Sequence, residues 1–275
     1  MYHEHGDTYV GIKSDDGVIR TSIKAGEFFN KGWDGYLQLR QTTLDISVYA
    51  EEDDLEIAPA VPNPGKILCV GLNYSKHAAE SGMAEPEFPV LFSKFDNTIA
   101  AHGDDVPMSL EWTQVDYESE LVIVIGKTAK NVSEDNALDY VLGYCNGNDL
   151  SERALQFRSG QWLLGKTPDK FFPIGPYLVT ADTIPDPDKL RIRGWLNGEL
   201  RQDSNTADMI FSVSQIIAYA SKFMTLNPGD IISTGTPEGV ILGYPEAERQ
   251  WMKPGDEYKV EIEGLGTLNN KMVET

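Results

Sequence analysis

The sequence predicts an α+β fold with a mixed, mainly antiparallel sheet architecture. After residue 65, short β-rich runs alternate with Gly, Pro and Asp, and candidate helices are few. Strands outnumber helices and do not alternate regularly with them, which favours this class over a doubly wound parallel sheet. The 275 residues, 41% of them hydrophobic, suffice for a sizeable core in one large domain, with or without a small appendage.

Residues 1–63 are predicted to form a small N-terminal α/β domain, and residues 64–275 the main domain. Two strand-like runs, YVGIK at 9–13 and GVIRTS at 17–22, precede an amphipathic stretch through Trp33, Tyr36, Leu37 and Leu39. The acidic run at 51–56 is most simply a solvated loop. Three prolines within 57–65 deny that segment regular structure and make it the candidate linker.

The main domain is predicted to hold strands in six runs: KILCVGL, PVLFSKF, ESELVIVIGK, KLRIRGWL, DIISTG and YKVEIEG. Asn197-Gly198, flanked by apolar residues, predicts a tight β-hairpin turn. Short helices are predicted after Asn73, at 134–143 and at 150–159. A longer helix is predicted from Ser212 to about Thr225, because apolar residues recur there at helical spacing.

Composition excludes several classes of function. The 43 acidic and 23 basic residues give a net charge of −20, so the long-range field repels nucleic acid and anionic membranes, and we expect neither as a partner. If the substrate is an anion, it must be attracted by positive charge within the binding site, because the protein as a whole repels it. No signal peptide is visible and the apolar runs are too short to span a bilayer, so we expect a soluble, cytoplasmic protein.

Several common site motifs do not occur in the sequence. It has no GxGxxG after a strand, no Walker loop, no GxSxG and no paired CxxC, which argues against the commonest nucleotide, serine hydrolase and zinc sites. Two cysteines, Cys69 and Cys145, are too few for a disulfide framework, and we expect buried, reduced thiols.

Two carboxylates at the start of an apolar run predict a metal site. Glu118 and Glu120 are two residues apart, which places them on one face of a strand, and the following LVIVI suggests a strand covered on both sides. Two buried carboxylates are costly unless a cation stands between them, and oxygen ligands favour Mg²⁺ or Mn²⁺ over zinc. The alternative is that both simply mark the exposed start of the strand.

A second polar cluster follows in GYCNGNDLSERALQF. Asp149 is positioned to cap the predicted helix at 150–159, and Arg153 and Gln156 then fall on the same stripe of that helix. Such a stripe is either solvated surface or the wall of an anion-binding, metal-containing site. Lys166, in the following GKTPDKFF, either reaches into that site or lies in solvent.

The segment VGLNYSKHAAE carries the third piece. His77 and Glu80 are three residues apart, so in a helix the carboxylate can orient one imidazole nitrogen and leave the other as a base. The alternative is a histidine and a glutamate on the surface of a short exposed helix.

Together these motifs resemble the fumarylacetoacetate hydrolase family. The resemblance covers about residues 64–275 and depends on ordered segments: VGLNYSKHAAE, PVLFSKF, DYESELVIVIGK, GYCNGNDLSERALQ, GKTPDKFFPIGP, LNPGDIISTGTPEGV and KPGDEYKVEIEGLGTLNN. It implies a mixed β-roll catalytic domain, one Mg²⁺ or Mn²⁺ per subunit, a small anionic 2-oxo acid as substrate, and a homodimer.

The resemblance also implies roles for individual residues. The metal ligands would be Glu118, Glu120 and Asp149, and the catalytic residues His77, Glu80 and Lys166, with the His–Glu pair on a mobile lid. The substrate contacts would be Arg153, Gln156, Thr236 and Tyr74. We expect segment 74–88, bracketed by Gly82, Pro86 and Pro89, to be mobile without ligand.

The chemistry expected from this family is hydrolysis or decarboxylation of C–C bonds in 2-oxo or 1,3-dicarbonyl acids, through an enolate stabilised by the metal. Acylpyruvate or fumarylpyruvate hydrolysis and oxaloacetate decarboxylation are examples. Two alternatives stay open from the sequence. One is an isomerase or hydratase of unsaturated 2-oxo diacids, and the other is a binding protein that keeps the pocket without turnover.

Overall fold

The N-terminal unit is built on a small antiparallel sheet. The structure, a computed structural model, describes residues 1–41, 49–80, 82 and 84–275. The sheet has the order β4-β3-β2-β1-β5 and comprises β1 (Tyr2–Glu4), β2 (Asp7–Ser14), β3 (Gly17–Lys24), β4 (Tyr49–Ala50) and β5 (Glu56–Ile57). Helices α1 (Ala25–Lys31) and α2 (Trp33–Gln41) follow β3. The two predicted strand runs and the amphipathic stretch are confirmed as β2, β3 and α2.

The described part of the main domain contains fourteen strands and four α-helices, besides short 3-10 helices. The strands are β6 (Ile67–Gly71), β7 (Val90–Lys94), β8 (Ile99–Ala100), β9 (Asp105–Met108), β10 (Val115–Asp116), β11 (Ser119–Ile125), β12 (Val141–Asn148), β13 (Ser151–Glu152), β14 (Phe172–Thr180), β15 (Arg191–Leu196), β16 (Glu199–Asn205), β17 (Ile231–Ser233), β18 (Glu257–Ile262) and β19 (Thr267–Glu274). The helices are α3 (Ser75–Glu80), α4 (Arg153–Gln156), α5 (Leu163–Lys166) and α6 (Val213–Phe223).

Two large sheets and one two-stranded ribbon organise these strands. A seven-stranded sheet has the order β7-β6-β17-β11-β12-β14-β8, a five-stranded sheet has the order β16-β15-β18-β19-β9, and β10 pairs with β13. Most pairs are antiparallel, whereas β6–β17, β8–β14 and β9–β19 are parallel. The predicted α+β class with a mixed, mainly antiparallel β architecture is confirmed.

Strand β11 is central to the fold, and both of its faces are covered by other parts of the chain. Ile123 and Ile125 belong to the core between the two large sheets, and Val122 and Val124 belong to a second core beneath the N-terminal unit. Alternation along a strand sends successive side chains to opposite faces, so a continuous apolar run is what a doubly covered strand requires.

The N-terminal unit packs directly on the seven-stranded sheet. Phe28 and Phe29 of α1 share one core with Val122, and the indole of Trp33 donates a hydrogen bond to the carbonyl of Val141 over 2.8 Å. The candidate linker at 57–65 has little regular structure, as predicted, but Ala60 within it is fully buried. The segment is therefore packed, although the boundary between residues 63 and 64 stays a prediction.

Two of the predicted helices are wrong in part. At 134–143 the chain forms a 3-10 helix over Glu134–Tyr140 and then enters β12. At 150–159 the first residues pair with β10 as β13, and α4 covers only four residues. Asp149 does not cap α4, because the side chain of Glu152 accepts the hydrogen bond from the amide of Leu155.

The remaining predicted elements agree with the structure. α3 follows Asn73, and α6 begins after Ser212, which forms a capping box with Gln215. Asn197 and Gly198 connect β15 to β16 with positive φ angles of 52° and 82°. Both cysteines are buried and free. Within the described ranges, no helix is long and apolar enough to cross a bilayer.

Candidate active site

Three carboxylates converge where β11 begins and β12 ends. The antiparallel register pairs Ser119 with Asn148, so Glu118 and Glu120 come close to Asp149. Oxygen atoms of the three side chains all lie within 4.8 Å of one another. Because the relative exposures are 6%, 2% and 0%, the alternative of an exposed strand start is wrong.

Buried cations surround two of these carboxylates. The ammonium of Lys166 lies 2.7 Å from Oε2 of Glu118 and 2.8 Å from Oδ2 of Asp149. Lys94 donates to Oδ1 of Asp149 over 2.5 Å and to the carbonyl of Leu150 over 3.1 Å. Lys166 therefore reaches into the site, and the alternative of a solvent-exposed lysine is wrong.

Glu120 is held by neutral donors instead. Its Oε2 accepts hydrogen bonds from the hydroxyl of Ser233 at 2.5 Å and from the amide of Gly235 at 2.9 Å. Gly235 has a φ of +97°, and a Cβ there would lie 2.9 Å from the Cβ of Asn73 and from the carbonyl oxygen of Val70. Only glycine fits this close approach without a backbone shift.

The different surroundings drive the two glutamates apart in pKa. Burial raises the pKa of Glu118, but Lys166 and Arg153 outweigh it and lower the pKa to about 2. For Glu120, burial raises the pKa well above its usual value, and the negative charges of Asp149 and Glu118 raise it further. A cation held between the three groups would relieve this cost.

Arg153 lies on the opposite side of Glu118. Its Nη2 is 2.8 Å from Oε1 of Glu118 and 2.8 Å from Oδ2 of Asp116, and its Nη1 donates to Oε1 of Gln156 over 2.9 Å. Arg153 and Gln156 are only 3% exposed each, so the surface alternative is wrong. The prediction that Asp149, Arg153 and Gln156 share one helix face is wrong, because Asp149 precedes β13 and only Arg153 and Gln156 belong to α4.

The predicted histidine–glutamate pair lies on α3. His77 Nδ1 is 3.5 Å from Glu80 Oε2, and His77 is 7% exposed, so the exposed-surface alternative is wrong for the histidine. Both carboxylate oxygens of Glu80 accept from the amide of Gly239 at 3.2 Å. Nδ1 has no hydrogen-bond partner among the described residues. Glu80 therefore lies beside the imidazole without a hydrogen bond to it.

A cavity of about 50 Å³ joins these groups. His77, Glu118, Glu120, Arg153, Gln156, Lys166 and Thr236 line it together with apolar side chains that include Phe92, Trp162 and Leu242. Thr236 donates to the carbonyl of Ser119 and accepts from the side chain of Gln202. Tyr74 is fully buried and does not line this cavity, so its substrate contact stays a prediction.

The donor set fits a hard divalent cation. Three carboxylates with converging oxygens and no sulfur ligand are the ligands that Mg²⁺ and Mn²⁺ prefer. Glu118, Glu120 and Asp149 would hold the ion.

Two residues of this cluster received no role from the sequence, although both lie in the quoted motifs. Lys94 belongs to PVLFSKF and Asp116 to DYESELVIVIGK, where Asp116, Glu118 and Glu120 alternate along one stretch. Their sequence signal is weak because a lysine or an aspartate beside an apolar run is ordinarily exposed.

The fumarylacetoacetate (FAA) hydrolase C-terminal family matches residues 66–273. The chain belongs to this family. The match covers the whole region that carries the carboxylates, the cations and the His–Glu pair. The family membership inferred from the motifs is therefore confirmed, and with it the general character of an enzyme.

Relatives and solved structures support the same family. The chain is 51% identical over 220 residues to the fumarylacetoacetate hydrolase domain-containing protein 2 homolog of Dictyostelium discoideum, covering 76% of this chain and 72% of that protein. It is 42% identical over 250 residues to oxaloacetate tautomerase fahd2, mitochondrial, of Xenopus laevis, covering 90% and 77%.

One solved structure extends the likeness over the whole chain. The fumarylacetoacetate hydrolase of psychrophilic Exiguobacterium antarcticum superposes with a TM-score of 0.84 at 32% identity, covering 100% of this chain and 98% of that one. A second is the 2-hydroxyhepta-2,4-diene-1,7-dioate isomerase of Mycobacterium marinum, with a TM-score of 0.75, 34% identity, and coverage of 98% and 99%. Residues 1–63 thus have a counterpart in both.

Proposed function

We propose that this chain is a divalent-metal-dependent enzyme that forms the enolate of a small anionic 2-oxo acid, with oxaloacetate keto–enol tautomerisation as its reaction. The observation that carries the proposal is a single cavity lined by His77, Glu118 and Glu120, with a carboxylate oxygen of Asp149 within 4.8 Å of those of the two glutamates. Such a cavity brings a base, cations and a candidate metal site to the same small molecule.

The cations of the site suit an anionic substrate. Arg153 and Lys166 line the cavity, and the amide of Gln156 adds a group able to hydrogen-bond a carboxylate or a keto oxygen. A bound Mg²⁺ or Mn²⁺ would supply a Lewis acid that stabilises negative charge on the enolate oxygen. With the metal bound, these charges would make the cavity locally positive, which would explain how a chain with a net charge of −20 attracts an acid.

His77 is the proposed proton acceptor. It removes a proton from the carbon next to the keto group, and Glu80 stabilises the resulting imidazolium. Delivering that proton to the enolate oxygen completes the keto-to-enol conversion. The reverse reaction takes the proton from the enol hydroxyl and delivers it to the carbon. Lys166 is a poor base in this arrangement, because Asp149 and Glu118 raise its pKa against the opposing effect of burial.

Two relatives favour tautomerisation over bond cleavage. The Xenopus relative and a Rattus norvegicus relative, 42% identical over 247 residues, both carry the name oxaloacetate tautomerase. The reaction needs only the proton transfers described above.

Cleavage of a C–C bond is the second candidate, as hydrolysis of an acylpyruvate or fumarylpyruvate, or decarboxylation of oxaloacetate. It has its own support in the His77–Glu80 pair, which can also activate water for attack on a carbonyl. The Exiguobacterium neighbour carries the name fumarylacetoacetate hydrolase. We propose a homodimer for either reaction, on the family resemblance alone, and the cytoplasmic location stays a prediction.

One assay separates the two reactions. The protein is incubated in D₂O with oxaloacetate, acetylpyruvate or fumarylpyruvate, with Mg²⁺, Mn²⁺ or a chelator. We expect the protein to speed keto–enol interconversion of oxaloacetate when the metals are present, and to release no more pyruvate than the metals release without protein. Release of pyruvate or CO₂ instead supports cleavage.

Glu118→Ala should abolish the metal-dependent rate, whereas Glu111→Ala, which removes an exposed carboxylate of the loop before β10, should not. Full turnover in Glu118→Ala, or no turnover of any compound, contradicts the proposal.

A further inference from the structure

Two lysines bind the same carboxylate from different directions. Lys94 binds Oδ1 of Asp149, and Lys166 binds Oδ2 of Asp149 while also binding Oε2 of Glu118. Lys166 thus bridges two of the three candidate metal ligands. Lys94 contacts only one of them.

The two lysines also differ in their freedom to move. The Lys94 side chain has no exposed surface, its ammonium lies 5.6 Å from the ring centre of Phe172, and it also donates to a backbone carbonyl. Lys166 ends the four-residue helix α5 and forms part of the cavity wall, with its ammonium 5.1 Å from the ring centre of Phe92. Only Lys166 therefore has open space beside it.

The net charge of this buried cluster determines whether it attracts or repels an anionic substrate. Four buried carboxylates, Asp116, Glu118, Glu120 and Asp149, face three buried cations, Lys94, Arg153 and Lys166, in the part of the chain that the structure describes. Fully ionised, the cluster carries −1, which repels an anionic substrate. A divalent cation changes this to +1, which attracts it.

We propose that Lys166 is an exchangeable counter-ion: it neutralises Glu118 and Asp149 while the site lacks metal, and it yields those oxygens to the divalent cation and becomes a ligand for the substrate's carboxylate. Lys94 stays on Asp149 throughout as a positioning residue. The inference rests on the metal-binding part of the proposed function. It predicts that metal binds before substrate, because the lysine that binds the anion is released only by the metal.

Calorimetric titration of the metal-free protein with Mn²⁺, and of the Mn²⁺-loaded protein with oxalate, tests this. In Lys166→Met we expect Mn²⁺ to bind about tenfold more tightly or better, since its competitor is gone. Oxalate should then bind the loaded variant about tenfold more weakly, since a charge-assisted partner is lost. Opposite shifts in one variant are the signature of exchange.

Lys94→Met is the matched control, because it removes the same charge from the same carboxylate. Exchange predicts less tightening of Mn²⁺ binding there than in Lys166→Met, and a smaller loss of oxalate affinity, because the Lys94 side chain has no exposed surface from which to contact the anion. Equal tightening in both variants would mean a general field effect and would overturn the proposal. Unchanged or weaker Mn²⁺ binding in Lys166→Met would also overturn the proposal. This result does not depend on the control, so it can be interpreted even if Lys94→Met does not fold.

Mn²⁺ binding to the wild-type protein distinguishes failure of the proposed function from failure of the exchange proposal. If it binds no Mn²⁺, the proposed function fails; if it binds Mn²⁺ but the Lys166→Met shifts are missing, only the exchange fails.

Discussion

At the scale of single residues, Asp116 connects Arg153 of the site to the segment at 241–242, which contributes to the cavity wall. Its Oδ2 accepts from Arg153 Nε at 2.9 Å and from the amide of Leu242 at 3.0 Å, and its Oδ1 accepts from the amide of Ile241 at 2.8 Å. Leu242 and Arg153 both line the cavity. One buried carboxylate therefore fixes a cation and a wall of the same pocket.

Asp116→Asn should cost about 3–5 kcal/mol of unfolding free energy, because it leaves Arg153 buried with part of its charge unpaired. The turnover rate should fall as Arg153 loses its orientation. Chemical denaturation and steady-state kinetics measure both. Asp203→Asn is the control, since the Arg191–Asp203 pair is exposed and its loss should cost less than about 1 kcal/mol. Equal losses in the two variants would contradict this role.

Glu120→Gln should raise the melting temperature of the metal-free protein by a few degrees. Burial and the neighbouring carboxylates raise the pKa of Glu120, so its ionised form opposes folding, increasingly as pH rises from the ordinary glutamate range through the raised pKa. A neutral amide removes that cost and should flatten this part of the pH profile.

Thermal melts with and without Mn²⁺ check this expectation at several pH values. Mn²⁺ should stabilise the wild type but not Glu120→Gln, because a ligand that binds only the native state raises its stability. Glu111→Gln serves as the control for a change of charge alone. A less stable metal-free Glu120→Gln protein, or one that Mn²⁺ stabilises as strongly as the wild type, would refute the assignment.

Individual site residues could be predicted where their spacing was informative. Glu118 and Glu120 on one strand face, and His77 with Glu80 on one helix face, follow from local periodicity. The partners of Lys94 and Asp116 did not follow from it. Lys94 meets Asp149 across 55 residues of chain, and Asp116 meets the amide of Ile241 across 125.

At the scale of elements, α3 forms part of the wall of the cavity through His77. A volume of about 50 Å³ is far below the roughly 300–1,000 Å³ of typical small-molecule sites. We therefore expect a wall of the cavity to move when a substrate binds. α3 is six residues long and carries His77 into that wall, which makes it the element we expect to move.

Trypsin should cut after Lys76, whose side chain is 62% exposed, in the ligand-free protein, and Mn²⁺ with oxalate should slow this cut severalfold. Mass spectrometry of the fragments measures the rate. Cleavage after Lys189, 74% exposed and far along the chain, should not change. An unaltered cut at Lys76 would count against mobility of segment 74–88, in which residues 81 and 83 lie outside the described residues.

The helix predicted at 150–159 shows why element types were harder to predict there. The residues after Asp149 have helical spacing, yet Ser151 and Glu152 pair with β10 instead. Two lysines hold the side chain of Asp149, and its amide donates to the carbonyl of Glu118. Tertiary contacts thus override a local preference that is weak in a segment this short.

At the scale of the whole molecule, the N-terminal unit and the main domain share a core. Phe28, 4% exposed, belongs to the same buried cluster as Val122 and Val124 of β11, directly beyond Glu120. The sequence predicted two domains because composition changes near residue 60. The sequence did not predict that the two domains pack against each other, because the apolar residues on both sides of the contact have the pattern of any buried face.

Phe28→Ala should therefore destabilise the entire protein by about 3–5 kcal/mol, as a large cavity forms in a shared core. Differential scanning calorimetry should record one unfolding transition, shifted to lower temperature as a unit. Phe223→Ala, at a 65% exposed position, should change stability by less than about 0.5 kcal/mol. Two transitions, with only the first shifted, would show that the N-terminal unit unfolds independently.

The most direct measurement of the central claim is the anomalous scattering of crystals grown with Mn²⁺. We predict one strong peak per subunit at coordination distance from the carboxylates of Glu118, Glu120 and Asp149. A peak elsewhere, or none at a concentration that supports turnover, would contradict the account.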